Sequence, residues 1–211
     1  HEDNFAKLPE LSLTWPTVPL YHPDSYALDV LIELLSDGKK ALLNQKLIDE
    51  LKLTSRVTMY QYQSELAGQL MLQVRGFENT PLDNINQAIN EALKEFENKG
   101  FSEQDLATIK AGQETAFYRG LSSVLGKGFR LAQYNIFTKD PGFINKEAKN
   151  ILAVSKDDVL RVYNKYIKNK YVVATSFVPK GMTKLALKGS KEAIIKEEKI
   201  IQGAEEKFNS K

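Results

Sequence analysis

Three stretches of the chain alternate apolar and polar residues, which is the pattern of half-buried β-strands. In the first, Leu11, Leu13 and Trp15 alternate with hydroxyl-bearing residues. The second and third are residues 56–63 and 69–77. Because only a short segment separates the last two, they predict an antiparallel hairpin. We expect Pro16 and Pro19 to end the first strand, since proline has no backbone donor for the sheet.

Between the first strand and the hairpin, the spacing of apolar residues changes to that of helices. The segment from Pro23 to Gly38 starts with a residue that fits a first helical turn and ends with one that can take a left-handed conformation. A second helix is expected at once, because Leu43, Leu47 and Leu51 lie four residues apart. This region therefore predicts a helical pair joined by a glycine turn.

Helices dominate the chain after the hairpin. Capping signals at Thr80, Ser102 and Ser155 each precede a stretch with apolar residues at helical spacing. The β-branched stretch at 171–178 then predicts a closing strand, which must pair with strands far earlier in the chain. The predicted fold class is α+β, with an antiparallel or mixed sheet and helices packed on one face.

Composition narrows the function classes. With 42% hydrophobic and 27% charged residues, the chain is typical of globular proteins, and a net charge of +2 does not favour nucleic acid as a partner. No apolar run is long enough for a membrane span, and there is no cysteine for disulfides or thiol chemistry. We predict one domain over residues 1–181, followed by a charged linker or peripheral tail over 182–211.

The order of these segments resembles one family. An apolar strand with Trp-Pro, the tetrapeptide Tyr-His-Pro-Asp at 21–24, a helix, a glycine turn and a helix with Leu-Ile-Asp-Glu-Leu at 47–51 are similar to the opening of a domain in the M16 zinc metallopeptidases. This family includes insulinase, pitrilysin and the mitochondrial processing peptidase. The resemblance extends over residues 8–181 and implies the M16/LuxS-like metallohydrolase fold, an α+β sandwich.

The catalytic residues of that family are missing from this chain. Its zinc site is a His-x-x-Glu-His helix, in which two histidines bind the metal and the glutamate activates water. This chain has no such motif, and its two histidines are His1 and His22. The family's substrate-positioning arginine and tyrosine would fall at Ile48 and Ser55, which do not match. We therefore expect no catalytic residues, metal ligands or cofactor here, and we expect zinc in a partner catalytic domain.

The resemblance thus implies a non-catalytic, inactive-type domain of an M16-like zinc peptidase. Such a domain would contribute to proteolysis only as part of a larger assembly. Such a domain would pack against a zinc-bearing domain, in the same or another chain, and would enclose and position peptide substrates. One alternative is a scaffold or assembly domain without peptide binding, and another is a free-standing enzyme with an unrecognised site. A bacterial periplasm or cell envelope would suit such a peptidase.

One polar turn is the candidate contact site for a substrate or partner. It comprises Asp37, Gly38, Lys39 and Lys40, which follow the first predicted helix and are expected to be exposed. Charged runs are usually solvated surface, so simple solvation is the other interpretation of this turn.

Overall fold

The computed structural model describes residues 1–38 and 40–192. Its strands are β1 (Glu2–Asp3), β2 (Glu10–Thr17), β3 (Thr54–Gln63), β4 (Gly68–Gly76) and β5 (Val173–Pro179). Its helices are α1 (Pro23–Ser36), α2 (Leu42–Asn44), α3 (Leu82–Lys99), α4 (Glu103–Gly120), α5 (Val124–Thr138), α6 (Ile144–Ala153) and α7 (Lys156–Tyr166). A π-helix, Gln45–Glu50, continues α2, and short 3-10 turns cover Pro141–Phe143 and Thr183–Leu185.

The five strands form one mixed sheet in the order β1-β5-β2-β4-β3. Only the short β1 is parallel to its neighbour β5, and the other pairs are antiparallel. The strand that closes the described chain, β5, therefore lies beside β2, near the start of the chain. Together with the helices on one face, this arrangement confirms the predicted α+β class.

The hydrophobic core lies between the sheet and the helices. Across four strands, Ala174, Leu13, Leu72 and Met59 stand side by side, and the last three of them are buried. The helices cover this inner face with apolar stripes from α1, α3 and α7. Their buried members include Leu28, Leu31, Leu35, Ile85, Ala92, Phe96, Val159 and Val162. One continuous cluster results, as expected for a single domain core.

Of the three predicted N-cap residues, two are confirmed. Ser102 and Ser155 both form full capping boxes, in which the hydroxyl accepts from an aspartate N–H three residues later. The predicted cap at Thr80 is wrong, because Pro81 occupies the cap position of α3 and no side chain caps that helix. A proline before the helix fixes the backbone there without a capping hydroxyl.

Two other local predictions need comment. β2 ends at Thr17, between Pro16 and Pro19 as predicted, although it stays paired with β4 past Pro16; its pairing with β5 stops at Thr14. In the second helix Leu43 and Leu47 are buried, but Leu51 is 45% exposed. The π-helical turn changes the spacing along this helix, so a residue four positions after Leu47 no longer lies on its buried face.

The structure describes only part of the predicted charged tail. Leu185 is buried in the core cluster, and the Leu187 backbone N–H donates to the Ser176 hydroxyl at 3.1 Å. Residues 193–211 lie outside the described part of the chain. The domain boundary at residue 181 stays a prediction.

Candidate functional site

The second face of the sheet carries no helix layer in the described chain. A row of side chains crosses it from Val173 through Thr14 and Met71 to Tyr60, all at least partly exposed. Tyr62, two residues further along β3, is 64% exposed. Aromatic and apolar side chains on an uncovered sheet face are typical of a surface that another protein covers. We call this surface the open face, and define it by the residues just named.

The edge of the sheet at β3 is also uncovered. In residues 1–38 and 40–192, β3 pairs with β4 on one side and with no strand on the other. The strand is ten residues long. A β-bulge between Thr54 and Val57 and the charged Arg56 protect its start, whereas residues 57–63 contain no proline and no charged side chain that would discourage pairing. Its outer backbone groups are therefore a template for an added strand.

Helix α1 lies beside this edge and carries an unusual charge pattern. Asp24, Asp29 and Glu33 lie within it and Asp37 caps its end, while α1 contains no lysine or arginine. Carboxylates near a helix C-terminus are unfavourable, because the helix dipole is negative there. Like charges four residues apart add to this cost.

Of these four acids, Asp24 is neutralised within the domain. It is buried and accepts hydrogen bonds from Arg161 (2.6 Å), Lys165 (2.8 Å) and Tyr166 (2.6 Å) of α7. Burial alone would raise the pKa of Asp24, but these hydrogen bonds outweigh it and hold the pKa far below its ordinary value. The cluster is a structural anchor that fixes the start of α1 to α7.

The other three acids, Asp29, Glu33 and Asp37, follow one another at four-residue spacing, and we call them the acidic stripe. Asp29 accepts from the Gln61 side chain of β3 at 2.7 Å, and Glu33 accepts from Gln113 of α4 at 2.7 Å. None of the ion pairs between described residues involves the stripe. The side-chain hydrogen bonds that Asp29 and Glu33 accept therefore come from neutral amides.

The pKa of Asp29 is raised to about 6. Burial is the largest cause, the charge of Glu33 also raises the pKa, and the hydrogen bond from Gln61 opposes both. Burial likewise raises the pKa of Glu33, opposed by Gln113 and reinforced by Asp37. Upward shifts of this kind mean that the negative charges lie in surroundings that do not stabilise them. A cation placed beside them would be stabilised.

The predicted contact turn lies at the far end of the stripe. Asp37, Gly38 and Lys40 line a groove of about 800 Å³, together with Phe96 and Phe101 and further residues of α2, α3 and α4. All three turn residues are exposed, and Gly38 takes a positive φ of 75°. Lys39, the fourth predicted contact residue, lies outside the described residues. The role of this turn in binding stays a prediction.

Neither histidine forms part of a catalytic arrangement in the described chain. His22 is the N-cap of α1, where its Nδ1 accepts from the Asp24 backbone N–H at 3.0 Å. The N-terminal amino group of His1 donates to the Ser176 carbonyl at 2.8 Å. Within residues 1–38 and 40–192, no group of three or more histidine, cysteine, aspartate or glutamate side chains is placed to hold a metal ion.

The two positions where the family's arginine and tyrosine would fall hold residues without a substrate-positioning side chain. Ile48 is half-buried against the core, and Ser55 is exposed on β3. Neither side chain offers the charge or the phenol that those positions would supply in a substrate-positioning domain.

Comparison with known proteins identifies the family. The model of the family described as the peptidase M16 inactive domain matches residues 1–113, which extend from β1 into α4. The chain belongs to the M16 inactive domain family. The predicted resemblance to M16 peptidases is thereby confirmed, and the family's own description is that of an inactive peptidase domain.

Relatives of this M16 inactive domain include the zinc protease PqqE of Helicobacter pylori, which is 24% identical over 169 residues. That match covers 80% of this chain and 38% of PqqE, so the chain spans well under half of this relative. Among solved structures, a protease from Helicobacter pylori aligns with a TM-score of 0.75 at 22% identity, over 85% of this chain and 43% of that one.

An inactive peptidase domain from Bordetella parapertussis has a TM-score of 0.72 at 20% identity, and the alignment covers 82% of this chain and 93% of the Bordetella chain. The likeness to these structures shows the M16 inactive domain fold. No helix in the described residues has the length and apolar character needed to cross a membrane.

Sequence reasoning missed the acidic stripe of this M16 inactive domain. Its signal was visible as carboxylates at positions 29, 33 and 37, with no basic residue in α1. What the sequence could not supply is the distribution of partners, since Asp24 is neutralised from α7 and the stripe is not.

Proposed function

We propose that this chain is the non-catalytic half of a zinc peptidase. In this role it packs against a domain that carries His-x-x-Glu-His and encloses the peptide that the zinc domain cleaves. Water activation belongs to the zinc domain, and this chain supplies shape and closure. Zinc is held by the partner domain. The zinc protease named among the relatives supports this division of labour.

The observation that carries the proposal is the uncovered sheet. The open face presents Tyr60, Tyr62, Met71 and Val173, and the adjacent β3 edge pairs with no strand in the described chain and carries no charged side chain over residues 57–63. A face of this kind suits a wall that borders another domain, and an unpaired edge suits an extended peptide, because main-chain hydrogen bonds tolerate many side chains. Both features lie on one side of the domain, so a single partner can cover the face while a peptide occupies the edge.

The test combines this chain with the M16 domain of the same organism that carries His-x-x-Glu-His. Zinc content and cleavage of an internally quenched peptide are measured for each chain alone and for the mixture. We expect zinc in the partner, no cleavage by this chain alone, and chelator-sensitive cleavage that is strongest in the mixture. Chelator-sensitive cleavage by this chain alone would overturn the proposal in favour of a free-standing enzyme.

Matched variants locate the surface. Tyr62→Glu places a charge on the open face and is expected to weaken both association and cleavage. Tyr118→Glu is the control, because Tyr118 is 56% exposed and lies on α4, in the helix layer rather than on the open face. If the two chains associate but this chain changes neither the rate nor the choice of peptide cleaved, it is a scaffold domain and peptide enclosure is wrong.

A further inference from the structure

The acidic stripe lies next to the unpaired edge strand. The Gln61 side chain, on the helix-covered side of β3, donates to the backbone carbonyl of Ser25 at 3.0 Å and to Asp29 at 2.7 Å. These two bonds hold α1 beside β3, so that Asp29 is at the edge of the sheet. Asp29 nevertheless remains more than a third exposed.

A peptide that paired with β3 would bring side chains to this position. Residues of a strand alternate between the two faces of a sheet, so every second side chain of an added strand would lie on the side occupied by α1. There it would meet Asp29, with Glu33 one helical turn away. Position and periodicity thus make the stripe available to a bound peptide.

A further carboxylate, from another helix, adds to the negative charge near Asp29. Glu147 of α6 is 8% exposed and pairs with Arg130 through one oxygen at 3.3 Å, while its other oxygen, Oε2, is buried without a hydrogen-bond partner. Burial raises the pKa of Glu147, Arg130 lowers it, and the charge of Asp29 raises it again, so the two carboxylates sense each other. Arg130 pairs with Glu147, and none of the ion pairs between described residues reaches Asp29 or Glu33.

We propose that the acidic stripe binds a lysine or arginine side chain of a peptide whose backbone pairs with the outer edge of β3. The inference rests on the proposed function, because the peptide must first occupy that edge. The cation replaces water at Asp29 and Glu33 and relieves the repulsion between them. The stripe therefore selects peptides with a basic residue at one position of the bound strand.

The test measures binding of fluorescein-labelled nine-residue peptides to the 211-residue chain by fluorescence anisotropy. The peptides share a threonine- and valine-rich sequence and differ only at the central position, which is arginine, lysine, glutamine or glutamate. A fifth peptide has the arginine sequence with alternate backbone nitrogens methylated, so that it cannot pair with a strand edge. We expect arginine and lysine peptides to bind about tenfold more tightly than the glutamine peptide, and the methylated peptide not to bind.

The variant Asp29→Asn/Glu33→Gln removes both charges and keeps oxygen acceptors for Gln61 and Gln113. It should bind the arginine and glutamine peptides equally, at the affinity of the glutamine peptide for the unaltered chain. Asp49→Asn is the matched control, since Asp49 is exposed and lies outside α1, and it should keep the preference for arginine. Circular dichroism and urea unfolding of each variant confirm that it is folded.

The outcomes separate the two proposals. Equal binding of arginine and glutamine peptides to the unaltered chain overturns the inference and leaves edge binding intact. No binding of any peptide overturns peptide capture at β3, and the inference fails with it. Undiminished binding of the methylated arginine peptide shows that the charge acts without strand pairing, which also overturns the inference.

Discussion

Removal of the Asp24 carboxylate is expected to destabilise the domain severely, because this one side chain accepts all three hydrogen bonds that tie the start of α1 to α7. Asp24 is 4% exposed and accepts three hydrogen bonds, from Arg161, Lys165 and Tyr166, at 2.6 to 2.8 Å. Removing one partner of a buried ion pair costs about 3–5 kcal/mol. Here the two cationic side chains are about half exposed, at 48% and 52%, and water can solvate them after the change. We therefore expect Asp24→Ala to lower the free energy of unfolding by about 2–4 kcal/mol.

Urea unfolding provides the measurement, and the protein has a suitable probe. Trp15 is its single tryptophan and is 4% exposed, so its fluorescence reports loss of the core. A loss of about 3 kcal/mol in a domain of this size corresponds to a melting temperature lower by about 6–12 °C. Asp24→Asn keeps an oxygen acceptor without the charge, so its free energy of unfolding should lie between those of the unaltered protein and Asp24→Ala. Asp49→Ala, at an exposed position, should change the free energy of unfolding by less than about 0.5 kcal/mol.

The pH dependence separates electrostatic anchoring from loss of packing. The pKa of Asp24 is lower in the folded chain than its ordinary value of 3.8. Its contribution to stability is therefore fully present above about pH 5 and is lost as the pH falls through and below 3.8. The difference between the unaltered protein and Asp24→Ala should narrow over that range. A loss below about 1 kcal/mol at pH 7, or one that stays constant down to pH 3, would refute the reasoning.

Three further perturbations test other parts of the structure. Asp29→Asn should stabilise the domain by no more than about 1 kcal/mol, because the side chain is partly exposed. Since the pKa of Asp29 in the folded chain is raised to about 6, this gain in stability should be absent below pH 3.8, appear as the pH rises and level off above pH 6. A gain in stability that grows toward acid pH would contradict this prediction. Gly68→Ala should lower the free energy of unfolding in urea by more than about 2 kcal/mol, because the added Cβ would lie 2.0 Å from the Val18 carbonyl oxygen. The control Gly112→Ala has open space around its Cβ in α4 and should raise the free energy of unfolding by up to about 1 kcal/mol. Phe96→Ala should cost about 3–5 kcal/mol by calorimetry or urea, since the ring is 1% exposed and packs on Phe101, and a loss below about 1 kcal/mol would mean that the α3 face is not part of the core.

Local patterns in the sequence predicted local structure well, because local rules decide it. The alternation at Leu11, Leu13 and Trp15 placed β2, and the serine caps at 102 and 155 placed the starts of α4 and α7. Periodicity reports which side of an element is buried, and a capping hydroxyl acts within three residues. The prediction failed at Leu51, where the π-helical turn interrupts the spacing that the prediction assumed.

The candidate site could be predicted only in part, because its charges depend on distant neighbours. The sequence contains carboxylates at positions 24, 29, 33 and 37, and of these only Asp37 was among the predicted contact residues. It did not show that Asp24 alone receives cations, since Arg161 and Lys165 are 137 and 141 residues away. The pKa of each carboxylate follows from such partners and from burial, and neither is a local property.

What the sequence by itself determined is therefore most of the elements, though not the short β1, and the absence of His-x-x-Glu-His from this chain. Only the tertiary structure decided that β5 inserts beside β2, and that β3 is left at the edge with Asp29 next to it. The physical reason is that alternation fixes which face of a strand is buried but does not specify its neighbouring strand. Strand neighbours follow from the packing of the whole chain, and they determine where a partner or a peptide can bind.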